Sequence, residues 1–430
     1  MDFKQLLPDC TVLPWSPGPT SNLLKMEGSQ SLTEGRREPI QPMFNNEVVV
    51  ILRTSGIARI PIYAHFQLAL NLQLVMVHPS RPANFTPYFK HWVEAETDDI
   101  DRLDVAIQSY LQSASLPTPS AYMSLDEYGV LPAAILAERH GTRPIPLPSA
   151  DIRRNNLKSE FRAWCAEHGV RGPACVSLLT PEDDLETLLR EAGITFPVVC
   201  KPNPGAGSLL CQVADSMEQL RTVVAHTWHH LGTFADAVYL EASLGQRIRI
   251  LIEEYVGGQE VDLDVIVEHG VIRFCAISDN FAPPPPWCIE VGGCTPSRLP
   301  ANAQAKLLRL FHDFVHAHGA SLHGVLHFEA KFDFARDEAF VIENNCRPGS
   351  AETTTMIETC YGVNLSVILT RRSGRCRKRT RDAPHRSTCL PIAAVGSRRA
   401  TCRPPIQPSL MGCQLQMARS LAPLTSRSRW

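Results

Sequence analysis

The chain has 430 residues, of which 44% are hydrophobic and 20% charged, a composition typical of a soluble protein with two or three domains. The formal net charge of −2 hides an uneven distribution, because the residues from Arg371 onward contain 14 Lys and Arg and one acid, Asp382. The preceding residues hold 28 of the 42 basic and 43 of the 44 acidic residues. This acidic body lacks the basic face that nucleic-acid binding requires, so we expect no nucleic-acid partner.

Fourteen cysteines are scattered along the chain without a CxxC pair. In a chain of this length, the pattern favours free thiols in a reducing compartment over a disulfide framework. No apolar run approaches the roughly 20 residues that span a bilayer, and the N-terminus lacks the apolar core of a secretory signal. We therefore expect a cytoplasmic protein without a membrane partner, while an organelle address and a homodimer stay open.

The first 150 residues predict a disordered lead followed by an α/β domain. Residues 1–41 are rich in Pro, Ser, Gly and charge and lack periodicity, whereas residues 42–150 open with the β–α–β pattern of a doubly wound, Rossmann-like unit. The turn after the first strand carries one glycine and does not favour dinucleotide binding. The predicted elements are a strand at Glu47 to Leu52, a helix at Pro61 to Leu70, a strand at Leu74 to Val77, and helices at Ile100 to Leu111 and Leu131 to His140.

The next segment follows a Pro-rich boundary at Thr142 to Pro148. Its glycine-containing loop, Pro202 to Ser208, would let backbone N–H groups approach an anion, although a plain hairpin turn is the alternative. The loop is not a Walker loop, because its lysine precedes the glycines. The predicted elements are a helix at Asp151 to His168 with Asp151 as N-cap, a helix at Pro181 to Ala192, and strands at Val198 to Lys201 and Leu209 to Val213.

Alternating strands and one long helix follow, and a polar hairpin closes the patterned part of the chain. The predicted elements are strands at Arg249 to Val256, Glu260 to Val267 and Val271 to Ile277, a helix at Ala301 to His318, and an exit helix at Thr355 to Tyr361. From Arg371 the pattern fails, which predicts a disordered basic tail over residues 371–430 or an aberrant C-terminus.

The hairpin spans Gly324 to Thr355 and carries acidic residues on both of its strands. Alternation within each strand places Glu329 near Glu343, with Asn345 two residues further along. Two carboxylates and an amide oxygen suit a hard cation such as Mg²⁺, with Mn²⁺ as an alternative. Ordinary surface acids on a solvated hairpin are the other interpretation.

Together these segments resemble the ATP-grasp superfamily over roughly Val48 to Ile368. The resemblance is carried by Lys158 on a helix, by PVVCKPNPGAGS, LIEEYVGGQEVDLDV, GVLHFEAKF and VIENNCRPGS in that order. It is strongest for carboxylate–amine ligases of the carnosine synthase and L-amino-acid ligase kind. The resemblance implies a two-lobed ATP-grasp domain with antiparallel sheets over residues 151–370, after the doubly wound domain, in a protein of the mixed α/β (α+β) class.

The resemblance also implies roles for individual residues. ATP would be bound by Lys158, Lys201, Gly205, Gly207, Ser208, Glu253, Glu254, Val256 and Glu260. Within this set, the two lysines would contact the α- and β-phosphates. Glu253 and the backbone of Glu254 and Val256 would bind the adenine edge, and Glu260 would bind the ribose hydroxyls. Glu329, Glu343 and Asn345 would hold magnesium, and the catalytic residues would be Arg347 and Lys201. His323 and His327 flank the metal strand and are expected to be packed or surface residues.

The implied reaction joins a small carboxylate, such as an amino acid, to an amine. Transfer of the γ-phosphate converts the carboxylate into an acyl phosphate, which the amine attacks with release of phosphate and ADP. A bicarbonate-using carboxylase or carbamoyl-phosphate type of module and a truncated ATP-binding protein without catalysis are the alternatives. Two departures stand out: Cys294 to Pro300 replaces a loop that carries a histidine in related ligases, and the basic tail replaces a folded C-terminal lobe.

Overall fold

The computed structural model describes residues 46–53, 59–68, 70–83, 85–205, 207–231, 247–349 and 353–365. The predicted lead and the basic tail lie outside the described residues. Within the described part of the chain, none of the helices combines the length and apolar character that crossing a membrane would require. The nine cysteines in these stretches are free, as their spacing predicted.

The N-terminal sheet is parallel, with strand order β3-β2-β1-β4, which confirms the doubly wound unit. Alternate residues of β1 are buried on opposite faces of the sheet. Val49 and Ile51 pack in one hydrophobic cluster with Tyr63, whereas Val48 and Val50 pack in a second cluster on the other face. The strands are β1 (Val48–Leu52), β2 (Gln73–His78), β3 (His91–Glu94) and β4 (Ala121–Met123), and the helices are α1 (Ile60–Leu68), α2 (Ile100–Ser113) and α3 (Glu127–Arg139). A 3₁₀ turn, Thr86–Tyr88, precedes β3.

Helix α3 begins four residues before the start that its apolar pattern predicted. The Asp126 side chain accepts a hydrogen bond from the backbone N–H of Tyr128 and caps the helix. The added first turn contains Glu127, which the early start places near the later hairpin.

The prediction of one helix from Asp151 to His168 is wrong. The segment forms α4 (Ser149–Asn156) and α5 (Lys158–Glu167), separated by Leu157, whose φ of −93° and ψ of 92° are extended. Leu157 is buried in the core, so the break stabilises the fold through side-chain burial without Gly or Pro in the sequence. Residue Pro148, not Asp151, stands at the N-cap of α4.

A four-stranded antiparallel sheet with the order β5-β8-β6-β7 follows. Its elements are β5 (Cys175–Leu178), α6 (Leu185–Glu191), β6 (Val198–Asn203), β7 (Gln212–Ala214), α7 (Met217–His230) and β8 (Arg249–Glu254). Helix α6 starts later than predicted, because Asp184 caps it by accepting from the N–H groups of Glu186 and Thr187. Strand β7 also starts later than predicted, after a turn in which Ser208 and Leu210 have positive φ.

The largest sheet has the order β11-β10-β9-β12-β13, and its four long strands are antiparallel neighbours. Gly258 permits the approach of the turn before β9 to β12, since a Cβ there would lie 2.0 Å from the Phe332 carbonyl oxygen. The elements are β9 (Gln259–Glu268), β10 (Val271–Asn280), β11 (Gly293–Cys294), α8 (Ala301–His318), a 3₁₀ turn (Gly319–Ser321), β12 (Gly324–Asp333), β13 (Glu338–Asn345) and α9 (Thr353–Tyr361). Helix α8 has the predicted bounds.

Candidate active site

A cleft lies between the four-stranded and five-stranded sheets, and residues from both sheets line it. Its volume is about 790 Å³ when the space open to solvent is included, which suits a small ligand. The predicted nucleotide residues and both predicted metal carboxylates line this cleft: Lys158, Lys201, Gly205, Gly207, Ser208, Glu253, Glu254, Val256, Glu260, Glu329 and Glu343. The other two predicted residues extend the cluster, since Asn345 contacts Glu329 and Arg347 contacts Asn345.

Lys158 is the first residue of α5, directly after the break at Leu157. Its Nζ donates a hydrogen bond of 2.5 Å to the Gly205 carbonyl oxygen and lies 3.3 Å from Oε1 of Glu343. The side chain is buried, whereas a lysine on a helix is usually exposed. The helix break therefore brings a cation against both the glycine loop and the hairpin.

The loop after β6 turns back toward β7 in a conformation that depends on glycine. Gly207 has a φ of 63°, in the left-handed region, and Ser208 follows with a φ of 53°. A small loop of this kind can bring backbone N–H groups toward an anion.

Lys201 belongs to a buried chain of ion pairs with Glu253 and Arg162. The Lys201 Nζ lies 2.5 Å from Glu253 Oε2, and Arg162 Nε lies 2.8 Å from Glu253 Oε1. Burial raises the pKa of Glu253, but Arg162 and Lys201 outweigh it and leave that pKa lowered. Burial likewise opposes the charge of Lys201, yet Glu253 raises its pKa overall. The ammonium group on the cleft wall therefore stays charged.

The surroundings of Glu253 differ from those expected for a residue at the adenine edge. Its side chain is 3% exposed and is enclosed by the two cations. The neighbouring Glu254 is more open but is also engaged, with Oε1 2.5 Å from Arg336 and Oε2 accepting from the Ala174 N–H at 3.2 Å. At this end of β8 the Glu253 side chain thus serves to hold Lys201, while the backbone from Glu254 to Val256 stays the proposed adenine contact.

Strands β12 and β13 place Glu329 directly opposite Glu343, which confirms the prediction that the two carboxylates lie near one another. Burial, followed by the repulsion of Glu343, raises the pKa of Glu329 to about 8. Burial also opposes ionisation of Glu343, but Lys158 and Lys201 outweigh it and lower its pKa. Among the described residues no three His, Cys, Asp or Glu side chains form a metal-binding group, so the predicted metal site is two carboxylates and an amide.

Asn345 and Arg347 continue from β13 toward the N-terminal domain. Asn345 Nδ2 donates to Glu329 Oε1 at 2.8 Å, and its Oδ1 accepts from Arg347 Nη2 at 3.1 Å. Arg347 Nε in turn donates to Glu127 Oε2 at 2.8 Å. The predicted ligand oxygen of Asn345 therefore faces an arginine, and a bound cation would require the amide to turn.

His327 lies two residues before Glu329 in a second charged cluster. Its Nδ1 is 3.0 Å from Asp264 Oδ1, and its Nε2 is 3.8 Å from both Asp262 Oδ1 and Glu329 Oε1. Burial opposes its charge, but Asp262 and Asp264 outweigh it and raise its pKa to about 10. His323 behaves oppositely, because burial lowers its pKa to about 4. The expectation of packed histidines holds for both, although His327 is also ion-paired.

Glu260 is half-buried and lies on the cleft wall at the start of β9. Lys331 Nζ lies 3.5 Å from its Oε2 and 5.1 Å from the centre of the Tyr255 ring. Tyr255 is half-buried, so it is a wall of the cleft and not a core residue.

Several charged residues of the site were not predicted from the sequence. Arg162 is one turn after Lys158 and thus shares its helix face, a spacing that could have indicated it. Asp262 pairs with Glu329 across β9 and β12, and Lys331 follows Glu329 at the two-residue period of the same face. The contact of Glu127 with Arg347 could not be predicted from the sequence, because the two residues are more than 200 positions apart.

Residues 194–356, which hold most of the two sheets that line the cleft, match the sequence model of the ATP-grasp domain family. The chain is 32% identical over 172 residues to carnosine synthase 1 of Gallus gallus, covering 40% of this chain and 18% of that protein. It is 25% identical over 247 residues to the C-terminal section of the carbamoyl phosphate synthase large chain of Methanopyrus kandleri, covering 55% and 40%. The chain thus spans less than half the length of these relatives.

Solved structures share the fold at low sequence identity. An L-amino acid ligase from Bacillus licheniformis superposes with a TM-score of 0.62 and 16% identity, covering 76% of this chain and 74% of that one. N5-carboxyaminoimidazole synthetase from Staphylococcus aureus, in complex with ADP, gives a TM-score of 0.57 and 16% identity, covering 77% and 80%.

Proposed function

We propose that this chain is an ADP-forming carboxylate–amine ligase that acts through an acyl phosphate on amino acids or other small carboxylates. One observation carries the proposal: two buried lysines, two facing carboxylates and an arginine converge on one cleft of an ATP-grasp domain. The relatives named carnosine synthase and L-amino acid ligase support this substrate class.

The proposed reaction explains why the site needs both positively and negatively charged side chains. A carboxylate is a poor electrophile, so an amine displaces its oxygen only after phosphorylation has created a leaving group. In the proposed site, Lys158 and Lys201 neutralise the triphosphate through charge-assisted contacts, and the loop from Gly205 to Ser208 excludes water. The guanidinium of Arg347 steadies the transferring phosphoryl group, whose charge matches its planar fork.

The donor set fits a hard divalent cation. Glu329 and Glu343 lie opposite one another and are half-buried, and their repulsion contributes to the raised pKa of Glu329. A cation held by these oxygens, with Asn345 after its amide turns, would relieve that repulsion. When bound, Mg²⁺ would neutralise charge on the β- and γ-phosphates, with Mn²⁺ as an alternative ion.

The assay follows ADP release by the purified chain with Mg-ATP and a panel of amino acids, supplied singly and in pairs. The proposal predicts ADP release that depends on a carboxylate and rises with an added amine, together with an amide product in the mass spectrum. ADP release that depends only on bicarbonate would instead support the carbamoyl-phosphate type. Nucleotide binding without turnover under every condition would contradict the proposed ligase.

We also propose a compartment and an oligomeric state for the ligase. The free thiols of the described residues suit a reducing compartment, and we assign the chain to the cytoplasm as part of the proposal. A homodimer is the proposed alternative to a monomer, and size-exclusion chromatography with light scattering distinguishes the two.

A further inference from the structure

A segment between β10 and β11, residues 281–292, leaves the five-stranded sheet and reaches the four-stranded sheet before it returns. We call it the crossing segment. The Val213 N–H donates to the Pro286 carbonyl oxygen at 3.0 Å, and Gln212 forms an antiparallel bridge with Trp287. These contacts join the two sheets at the side of the cleft, because Gln212 begins β7.

Cys211 and Cys288 form the next pair along this antiparallel bridge. The bridge between Gln212 and Trp287 places Cys211 and Cys288 beside one another, and both residues line the cleft. Both are also half-buried, so a small reagent that enters the cleft can reach either sulfur. The two cysteines are 77 positions apart in sequence, and nothing in their spacing indicated the contact.

The two thiols have different acidities. The hydrogen bond from Cys211 lowers the pKa of Cys288, and the cations of Lys331 and Lys201 act in the same direction. The same hydrogen bond, followed by burial, raises the pKa of Cys211. Because the thiolate is the reactive form of cysteine, Cys288 is the attacking sulfur and Cys211 is the resolving one.

We propose that Cys211 and Cys288 are an oxidative modification site whose disulfide ties the crossing segment to the edge of β7 and restricts nucleotide exchange. This regulation of the same cleft rests on the proposed function only in requiring that the cleft bind a nucleotide. The oxidant class is a hydroperoxide, of which hydrogen peroxide is the simplest.

The reaction balances in two steps. The Cys288 thiolate attacks one peroxide oxygen, the O–O bond breaks, and the sulfur becomes a sulfenic acid as hydroxide leaves and takes a proton. Cys211 then loses its proton and attacks the Cys288 sulfur, which forms the S–S bond and releases a second water. Two thiols are thereby oxidised by two electrons, and one hydrogen peroxide is reduced to two waters.

A disulfide at this position affects nucleotide exchange because the cleft lies between two sheets and the crossing segment connects them. In the reduced chain, backbone contacts at Gln212 and Val213 hold the segment against β7. A disulfide prevents the crossing segment from separating from β7. Nucleotide exchange that requires this separation is therefore slower in the oxidised chain.

The test uses the full chain, reduced or treated with hydrogen peroxide, and two readouts that need no ligase turnover. Peptide mapping without reduction is expected to show Cys211 joined to Cys288, a product lighter by two hydrogen atoms. Stopped-flow release of a fluorescent ATP analogue is expected to slow by about tenfold, within the usual range of coupling between sites. Dithiothreitol should restore the reduced rate.

Variants identify the pair by comparing oxidised with reduced protein within each variant. Cys211→Ser and Cys288→Ser should abolish both the cross-link and the change in release rate, whereas Cys360→Ser, at an exposed cysteine, should preserve both. The proposal is overturned if the cross-link fails to form in the wild-type chain, or forms without a change in nucleotide release. A chain that shows the cross-link and the slower release but no ligation refutes the proposed ligase and leaves the modification site standing.

Discussion

Replacement of Glu253 by glutamine removes the one negative charge between two buried cations. The wild-type carboxylate accepts from Lys201 at 2.5 Å and pairs with Arg162 at 2.8 Å. In Glu253→Gln one side-chain oxygen becomes an NH₂ group, so one of the two cations then faces a donor. The substitution changes shape very little, and its effect therefore measures the electrostatic contribution of the carboxylate.

The magnitude follows from burial. Removing one partner of a buried ion pair costs about 3–5 kcal/mol of folding free energy, because the other charge stays desolvated. The matched control is Glu186→Gln, since Glu186 pairs with Arg221 at a similar 2.7 Å but both side chains are more than 60% exposed. An exposed pair contributes about 0–1 kcal/mol, so the two variants should differ clearly.

Urea denaturation followed by tryptophan fluorescence measures the stability difference, and titration with an ATP analogue measures nucleotide affinity. We expect Glu253→Gln to lower both, because Lys201 loses the partner that raises its pKa and keeps it charged against the cleft. Equal urea midpoints for the two variants, or unchanged nucleotide affinity in Glu253→Gln, would refute the assigned role of this ion-pair chain.

Three further substitutions test other parts of the site and fold. Glu343→Gln should keep the fold but lower the turnover number by at least ~100-fold, as expected for a key electrostatic group, while Glu338→Gln on the same strand should keep normal ADP formation. Lys158→Met should raise the KM for ATP by at least about tenfold, since charge-assisted hydrogen bonds contribute about 1.5–3 kcal/mol, and an unchanged KM would contradict the proposed phosphate contact. Burial, with Arg154 and His168, lowers the pKa of His318 to about 3, so stability should fall as pH drops below 6.5, where only the unfolded chain binds the proton. At pH 5 this loss is about 2 kcal/mol, so the decrease in unfolding free energy from pH 7 to pH 5 in urea denaturation should be smaller by about that amount in His318→Gln than in wild type and His312→Gln, and equal decreases would contradict the assignment.

The sequence predicted the hairpin because polar residues recur at every second position in β12 and at Glu343 and Asn345 of β13. The register that starts at the turn would place Glu329 opposite Ile342, and a β-bulge between Glu329 and Ala330 brings Glu343 opposite Glu329 instead. The sequence pattern therefore predicted that the two carboxylates lie near one another, but it did not indicate the bulge. The glycine loop was likewise predicted from its local pattern, whereas the role of Lys201 was implied by the resemblance to the ATP-grasp superfamily. In each case the chemistry is carried by residues close to one another in sequence.

The unpredicted contacts depend on tertiary packing. The break at Leu157 has no Gly or Pro to signal it, and it is visible only in the extended backbone and the buried side chain of that residue. The Arg347 contact with Glu127 and the Cys211 contact with Cys288 join distant segments, and a single sequence holds no record of either. The sequence likewise could not distinguish the roles of Glu253 and Glu254. The structure separates them, because Glu253 pairs with Arg162 and Glu254 pairs with Arg336.

A crystal structure of this chain with Mg²⁺ and a non-hydrolysable ATP analogue tests the central claim most directly. The account predicts that the phosphates lie between Lys158 and Lys201 and that the metal contacts Glu329 and Glu343, with the Asn345 amide oxygen turned toward it. A nucleotide bound elsewhere, or a metal that contacts neither carboxylate, would contradict the account.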